Sequence, residues 1–190
     1  MRRVIVKINI GAGTNKKDDY ISIDFDRETN PDFVLNLEKD KLPFDDNSVE
    51  AVIAHHVLEH MGEGYFHCLK ELYRVCKHGA IIDIRVPHPR HDTYLADPTH
   101  RRPITPMGLQ LFSKKANKLY KEQNFASSRL GDFYNVDFEI LNFNYIPDEQ
   151  SLITLSNLSE SELEEYAKQH NNIILEINIQ LIVVKDEQYQ

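Results

Sequence analysis

The feature that most constrains this chain is a pair of short apolar runs joined by a glycine turn. The run Val4–Ile10 is rich in β-branched residues and stops at Gly11-Ala12-Gly13. The second run, Tyr20–Ile23, stops at Asp24. A buried strand, a turn whose glycines let the backbone lie against a ligand, and a strand that ends in a carboxylate open a nucleotide-binding α/β unit. Asp24 could then accept two hydrogen bonds from a ribose diol.

Two features of this segment favour another interpretation. The third glycine of the dinucleotide-binding fingerprint is absent, because Lys16 stands at its position. Only nine residues separate the two runs, which is fewer than a helical crossover usually needs. A surface turn followed by a helix-capping Asp24 therefore explains these residues equally well when they are taken alone.

Composition and charge narrow the class of protein. The chain has 190 residues, of which 41% are hydrophobic and 27% charged, and we expect a single domain over residues 1–190. The net charge of −8 argues against a nucleic-acid partner, which requires a basic face. With no signal peptide and no long apolar span, we expect a cytoplasmic protein without a membrane partner. Cys68 and Cys76 lie in one predicted helix, in neither a metal nor a disulfide spacing.

The middle of the chain continues the α/β pattern. Strands are predicted at 32–36, 49–54 and 80–86. A helix is predicted over 63–77 because its apolar residues recur on one face, with Gly79 in the C-terminal capping position.

The last third predicts a further helix and then an antiparallel pair of strands. Thr105 and Pro106 have the residue types of a helix start. The expected buried stripe of that helix consists of Leu109, Phe112, Ala116 and Leu119. Strands at 136–146 and 173–184 flank a helix with a capping box, and the alternation in the second strand favours an antiparallel hairpin.

A set of short motifs occurs along the chain in a fixed order. These motifs are Gly11-Ala12-Gly13, Asp24, Leu42-Pro43-Phe44, His56-Val57-Leu58-Glu59-His60, Leu69-Lys70-Glu71, Arg74-Val75-Cys76-Lys77-His78-Gly79 and Val86-Pro87-His88. The ordered set resembles the class I S-adenosylmethionine-dependent methyltransferases of the compact bacterial type, over about residues 4–145. The resemblance implies an α/β, Rossmann-like three-layer sandwich whose seven-stranded sheet has the order 3-2-1-4-5-7-6, with strand 7 antiparallel. The predicted terminal hairpin agrees with this order independently.

The resemblance also implies S-adenosylmethionine as cofactor and a set of residues that bind it. In the family, the turn that matches Gly11, Ala12 and Gly13 packs against the methionine part of the cofactor. Asp24 matches the ribose-binding acid, Asn36 and Leu37 match a pair that holds adenine, and Ala54 and His55 match the strand end beneath the sulfonium. The chain departs from the family at Asn9 and Asn36, where acids are usual, although the Asn36 carbonyl could still accept from the adenine amine.

The short link between the first two strands leaves little room for the usual first helix, and no helix is predicted ahead of the first strand. One face of the sheet near strands one to three is therefore expected to be poorly covered, and a homodimer is one way to cover it.

The loop at 87–105 contains the candidates for a catalytic base. Ligands of open α/β sheets bind beyond the carboxyl ends of the strands, and His88, His91 and His100 follow the fifth strand. Imidazoles titrate near neutrality and suit this role. Two alternatives stay open at this point: the histidines pack a turn that begins at Asp97-Pro98, or His88, His91 and His100 bind a metal together with Asp92.

Taken together, these features predict an enzyme that methylates an oxygen, nitrogen or carbon atom of a small molecule or a sugar precursor. Orientation of the reactants can lower the barrier by roughly 7–11 kcal/mol, and a general base typically adds ~10²–10⁴-fold. The alternative is a non-catalytic module with the same fold that binds the cofactor or a partner. A nicotinamide-dependent oxidoreductase is disfavoured by the missing third glycine and the early Asp24.

Overall fold

The computed structural model describes residues 5–185 and shows seven strands and seven α-helices in that range. The strands are β1 (Val6–Ile10), β2 (Ile21–Asp24), β3 (Phe33–Val34), β4 (Val49–His55), β5 (Cys76–Pro87), β6 (Phe138–Pro147) and β7 (Ile174–Val183). The helices are α1 (Tyr65–Val75), α2 (Asp92–Ala96), α3 (Pro106–Gln110), α4 (Lys114–Glu122), α5 (Leu130–Tyr134), α6 (Glu149–Thr154) and α7 (Glu160–Gln169). The predicted start of the first strand at Val4 lies outside the described residues.

All seven strands form one sheet of order β3-β2-β1-β4-β5-β7-β6. β1 to β5 pair in parallel, and β7 runs antiparallel to both of its neighbours. The predicted α/β class, strand order and antiparallel strand are therefore confirmed. β7 alternates between a buried and a partly exposed face, and the middle of β6 is exposed. The parallel strands β4 and β5 also have their most buried residues on one face, which packs in the same cluster as helices α1 and α3.

The core lies between one face of the sheet and helices α1 and α3. Ile8, Val52 and Ile82 extend from the strands into the same buried cluster as Leu72 of α1 and Leu109 of α3. This packing explains why the predicted helix over 63–77 shows a single apolar face.

Gly79 does not close α1, so this part of the prediction is wrong. The helix ends at Val75, Cys76 is already extended, and β5 begins there. Gly79, with a φ of +79°, lies in a bulge where residues 77–80 of β5 face the single residue Glu50 of β4. A positive φ suits a bulge as well as it suits a helix cap, so the glycine alone did not distinguish the two.

The predicted helix after Thr105 begins as expected but divides into two. The Thr105 hydroxyl oxygen accepts a hydrogen bond from the Gly108 amide at 3.1 Å, and Pro106 is the first helical residue. Ser113 then caps a new helix, α4, through the amide of Ala116. Because of this break, Leu119 does not continue the buried stripe as predicted and is 48% exposed to solvent.

The second face of the sheet is more open than the resemblance implies. Between β1 and β4, the described chain contains no α-helix, so the second helical layer of the predicted sandwich is missing there. Polar, partly exposed side chains such as Asp83 and Arg85 lie on this face, and His55 pairs with Asp83 at 2.7 Å. Near strands one to three, Asn9 and Ser22 on this face are buried, so the poor cover expected there, like the homodimer, stays a prediction. Within residues 5–185, no helix combines the length and apolar character needed to cross a membrane.

Two glycines of the turn after β1 offer a matched test of why the turn needs glycine. Gly11 and Gly13 both have a positive φ, of +59° and +50°. A Cβ on Gly11 would lie 2.4 Å from Cγ2 of Val57, whereas a Cβ on Gly13 would meet nothing within 4 Å. In urea denaturation we expect Gly13→Ala to cost about 1–2 kcal/mol for the left-handed conformation. Gly11→Ala should cost about 1–3 kcal/mol more, for overpacking.

The same comparison in a Val57→Gly background isolates the clash. There the extra cost of Gly11→Ala should largely disappear, because both the Cγ2 atom at 2.4 Å and the Cβ atom at 2.6 Å are gone. Equal losses for the two glycine variants in the wild-type background would contradict the account.

Candidate active site

A cavity of about 610 Å³ lies at the carboxyl ends of the first four strands of the sheet. Gly11 and Gly13 border it after β1, Asp24 and Phe25 after β2, and residues 35–38 after β3. His56, Val57, His60 and Met61 border it after β4, and Thr99 and Arg101 reach it from the loop after β5. Its volume and position are those of a ligand site in an open α/β sheet.

The carboxylate of Asp24 joins the glycine turn to the end of β2. Its Oδ2 accepts a hydrogen bond from the Gly13 amide at 2.7 Å, and its Oδ1 accepts one from the Asp26 amide at 2.9 Å. The residue is only 6% exposed. A carboxylate oxygen can accept a second bond, so both oxygens still have a lone pair for a ribose hydroxyl. Asp24 thus has a structural role and is also placed for its predicted binding role.

Asn9 supports the same turn from beneath. It is buried in β1, and its amide nitrogen donates to the backbone oxygen of Asn15 at 3.1 Å. At this position, where the family usually has an acid, the amide therefore fixes the far end of the turn.

Asn36 and Leu37 border the cavity as predicted, but the Asn36 side chain is already engaged. Its Oδ1 accepts the Glu38 backbone amide at 2.9 Å, and the Asn36 backbone amide donates to Oδ2 of Asp40 at 2.7 Å. Only the second lone pair of the Asn36 oxygen is left for an adenine amine. Leu35 and Leu37 give this wall its apolar surface.

Three of the predicted cofactor residues do not border the cavity. Ala12 and Ala54 are buried in the protein interior, and His55 points to the open face of the sheet, where it pairs with Asp83. His56 has a φ of +52°, which turns the chain at the end of β4. Because of this turn, His56 and Val57 reach the cavity in place of Ala54 and His55.

His56 carries the clearest electrostatic perturbation at the cavity. Its Nδ1 lies 3.6 Å from Oε1 of Glu59, and its Nε2 lies 3.1 Å from Oε1 of Glu176. The two carboxylates, Glu59 above all, raise the pKa of His56 above its ordinary value. The motif His56 to His60 was recognised in the sequence, but the pattern did not show which of its side chains enter the site.

The structure does not bring His88 and His91 to the cavity. The His88 ring packs edge-on against Tyr145, and its Nδ1 accepts the Arg90 amide at 3.2 Å. His91 is 8% exposed, caps α2 through the Thr93 amide and lies 3.7 Å from Asp148, which caps α6. Through these contacts, the loop after β5 packs against the end of β6 and the start of α6.

Of the three histidines predicted as bases, His100 lies nearest the cavity wall. Its ring stacks on Tyr94 at 5.1 Å and lies 4.6 Å from the ring of His60, which borders the cavity. Its Nδ1 lies 2.7 Å from the Tyr94 carbonyl oxygen.

A smaller cavity of about 310 Å³ lies at the opposite end of the sheet. Asp46 and Asn47, which border it, precede β4, and Lys185 follows the antiparallel β7. None of the predicted site residues border it, so the larger cavity is the candidate site.

Comparison with known proteins agrees with this geometry. Residues 15–84 match a family model described as a methyltransferase domain. A search of curated proteins gives no significant match. An S-adenosylmethionine-dependent methyltransferase from Archaeoglobus fulgidus has a TM-score of 0.62 at 17% identity, over 95% of this chain and 87% of that one.

Two further solved structures have the same fold. One from Methanosarcina mazei, also described as an S-adenosylmethionine-dependent methyltransferase, has a TM-score of 0.57 at 15% identity, over 98% of this chain and 95% of that one. The cyclase SpnF has a TM-score of 0.56 at 16% identity, over 96% of this chain and 76% of that one. At these identities the likeness establishes the fold, and SpnF is described as an enzyme of a different reaction.

The environment of His88 makes a testable prediction about its protonation. Burial, with the nearby charges of Arg90 and His91, lowers the pKa of His88 to about 4. In a histidine-detected NMR titration, we expect the His88 ring to stay neutral until the pH approaches 4. Titration of this ring near pH 6.5 would contradict the structure.

The same pKa shift affects stability. Because the pKa of His88 is lower in the folded than in the unfolded chain, the unfolded chain binds more protons between pH 6.5 and about 4. The folding free energy contributed by neutral His88 is therefore present above pH 6.5 and is lost as the pH falls. Urea denaturation at pH 7 and pH 5 should show a smaller loss for His88→Gln than for the wild type.

Proposed function

We propose that this chain is a class I S-adenosylmethionine-dependent methyltransferase that transfers the methyl group of its cofactor to a small molecule or a sugar precursor. The match over residues 15–84 to a methyltransferase domain and the shared fold support the family resemblance of the motifs, and with it S-adenosylmethionine as the cofactor. The acceptor is our proposal and depends on the cavity.

The observation that carries the proposal is the division of the cavity into two unlike sides. One side consists of the glycine turn, Asp24 and the apolar wall with Leu35 and Leu37. The other side consists of polar residues beyond β4 and β5, including His60, Thr99 and Arg101. A nucleoside fits the first side, and a polar acceptor fits the second.

The residues on the first side suit S-adenosylmethionine. The space beside Gly13 is open, so a ligand can lie directly against the turn backbone. The Asp24 carboxylate is held in place by two amides and can accept the ribose hydroxyls. Leu35 and Leu37 would contact the adenine ring.

For methyl transfer, the protein has to orient the cofactor and the acceptor and to remove a proton from the acceptor. The bound cofactor supplies a methyl group on a positively charged sulfur, which reacts by in-line displacement. The chain orients that group by holding the ribose and adenine at one side of the cavity. An imidazole at the other side, His60 or His100, would accept the proton of the acceptor.

Arg101 indicates the kind of acceptor. Its guanidinium is exposed at the border of the cavity, and it forms no ion pair with the residues that the structure describes. An acceptor with a phosphate or carboxylate, such as a sugar phosphate, would find a bidentate partner there.

The first prediction from the proposed function concerns the cofactor. We expect S-adenosylhomocysteine to raise the melting temperature and NAD to leave it unchanged, with a gain of ~2.7 kcal/mol at a hundred times the dissociation constant. A shift with NAD and none with S-adenosylhomocysteine would refute the cofactor assignment.

The second prediction concerns Asp24. Asp24→Ala should weaken S-adenosylhomocysteine binding about tenfold or more in calorimetry, because the charge-assisted bonds to ribose are lost. It should also lower the stability, since the carboxylate anchors the glycine turn. Asp26→Ala is the matched control: Asp26 accepts the Glu28 amide in a turn but does not border the cavity, so affinity should be unchanged. Equal affinities for both variants would reduce Asp24 to a structural role.

The third prediction concerns turnover on an identified acceptor. With labelled S-adenosylmethionine and a panel of sugar phosphates, His100→Gln should reduce methyl transfer by ~10²-fold or more. His91→Gln should change it little, because His91 caps α2 away from the cavity. Cofactor binding without transfer to any acceptor would favour the alternative, a non-catalytic binding module. Loss of transfer in the His91 variant alone would contradict the site described here.

A further inference from the structure

We propose that Glu59, His60 and His100 bind a divalent transition-metal ion at the edge of the cofactor cavity. One potential ligand atom from each of these residues lies within 4.8 Å of the others. In a tetrahedral site with metal–nitrogen and metal–oxygen bonds of about 2.0–2.2 Å, two ligand atoms lie about 3.3–3.6 Å apart. Side-chain rotations that bring the three groups closer by at most about 1.5 Å would therefore complete the site.

The carboxylate of Glu59 is the strongest evidence for a missing partner. Its side chain is 1% exposed, and neither oxygen accepts a hydrogen bond from the part of the chain that the structure describes. Nδ1 of His56 lies 3.6 Å from Oε1, so this imidazole, whose pKa Glu59 raises, is an ion-pair partner but is too far for a good hydrogen bond. A buried carboxylate is normally hydrogen-bonded, paired or bound to a metal ion. One ion pair with a half-exposed imidazole leaves both oxygens without a hydrogen bond, so the group can take a further cation.

The hydrogen bonds of His60 leave its Nε2 free as a ligand. The Thr99 hydroxyl donates to Oδ1 of Asp97 at 2.6 Å, so its oxygen can only accept from His60. Nδ1 of His60, 2.8 Å from that oxygen, must then carry the proton. The lone pair of the neutral ring is on Nε2.

His100 has the same arrangement. Its Nδ1 lies 2.7 Å from the Tyr94 carbonyl oxygen, which can only accept, so Nδ1 carries the proton and Nε2 keeps the lone pair. Metal-binding histidines typically donate their second nitrogen to a carbonyl or to a carboxylate-linked group, which fixes the ring and its tautomer. Both imidazoles have such partners before any metal binds.

The fold holds the three residues together although 40 positions separate His60 from His100. Glu59 and His60 lie in the 3-10 turn Leu58–His60 after β4, and His100 lies in the loop after the neighbouring strand β5. The Glu59 carbonyl oxygen accepts the Arg101 amide at 2.8 Å and the Arg102 amide at 3.3 Å. These two bonds attach the loop to the turn, so the cluster is preorganised.

This cluster differs from the metal site that the sequence suggested. That alternative combined His100 with His88, His91 and Asp92, and the structure keeps only His100 near the present cluster. Glu59 and His60, which were assigned no metal role, supply the other two ligands.

Two imidazoles and one carboxylate suit Zn²⁺, Fe²⁺ or Co²⁺, and a site with three protein ligands keeps a position open for water or substrate. His60 borders the cavity, so that position would face an acceptor. With the ion bound, His60 and His100 are ligands and do not act as free bases; an acceptor hydroxyl bound to the ion would instead lose its proton more readily. This last step rests on the proposed function, whereas the metal site itself does not.

Calorimetry and absorption spectroscopy on the full chain test the site. After treatment with EDTA and buffer exchange, we expect ZnCl₂ to bind with a stoichiometry of one ion per chain, and CoCl₂ to give visible absorption bands of a nitrogen- and oxygen-bound ion. Glu59→Gln and His100→Ala should each lower the Zn²⁺ affinity at least tenfold. Thr99→Val, which keeps the three ligands but removes the hydroxyl that contacts His60 and Asp97, should lower it about 10–100-fold.

Three controls make the result decisive. His67→Ala removes an imidazole of α1 that contacts the Asp40 carbonyl oxygen outside the cluster, and it should leave Zn²⁺ affinity unchanged. Circular dichroism establishes that each variant is folded. In the metal-free protein, Glu59→Gln should keep or raise the melting temperature, because a buried charge without a hydrogen bond is removed. A large decrease would overturn the assignment of Glu59 as a carboxylate without a hydrogen-bond donor.

The inference is overturned if Zn²⁺ does not bind, or if the Glu59 and His100 variants bind it as well as the wild type or as the His67 control does. Its failure is separable from that of the proposed function. S-adenosylhomocysteine binding and methyl transfer without a metal site would overturn only the inference, and a metal site without methyl transfer would overturn only the proposed function.

Discussion

The hydrogen bonds of the Asp24 carboxylate hold the cavity in shape. One oxygen accepts the Gly13 amide and the other the Asp26 amide, so the turn after β1 and the loop after β2 share a single anchor. No helix links β1 to β2 in the described chain, and this anchor takes over the ordering that a crossover helix would otherwise provide. The side chain of Asn9 adds a second anchor, because its amide donates to the backbone oxygen of Asn15 at the end of the turn. This side of the cavity is therefore held by a small set of hydrogen bonds between neighbouring segments.

Much of the fold followed from the sequence because its strands have strong local patterns. Apolar runs located the strands, and the alternation in the last strand predicted the antiparallel pair that the structure shows. The glycine turn, Asp24 and the 36–37 pair were found at the cavity for the same reason, since they directly follow strand ends. Bulges and breaks were not predictable, because Gly79 and Leu119 fit a continuous helix as well as they fit the observed chain.

The acceptor side was predicted less well for a physical reason. The left-handed conformation of His56 decides which side chains after β4 enter the cavity, and no residue pattern signals it. Likewise, His88, His91 and His100 lie in one loop with similar neighbours in the sequence, but only long-range contacts separate a capping role from a place beside His60. The buried Glu59 shows the same limit: the motif identified the residue, and only the structure shows that its carboxylate has no donor.

In the proposed site, a nucleoside side centred on Asp24 lies next to a polar side that contains His60 and the Glu59 cluster. A crystal structure with S-adenosylhomocysteine tests this division most directly. We predict that the ribose hydroxyls lie within hydrogen-bond distance of the Asp24 carboxylate and that the homocysteine part lies against the turn of Gly11 and Gly13. The sulfur atom should face the side of the cavity that His60 borders. A ligand bound elsewhere, or one that leaves Asp24 with only its two backbone donors, would contradict the account.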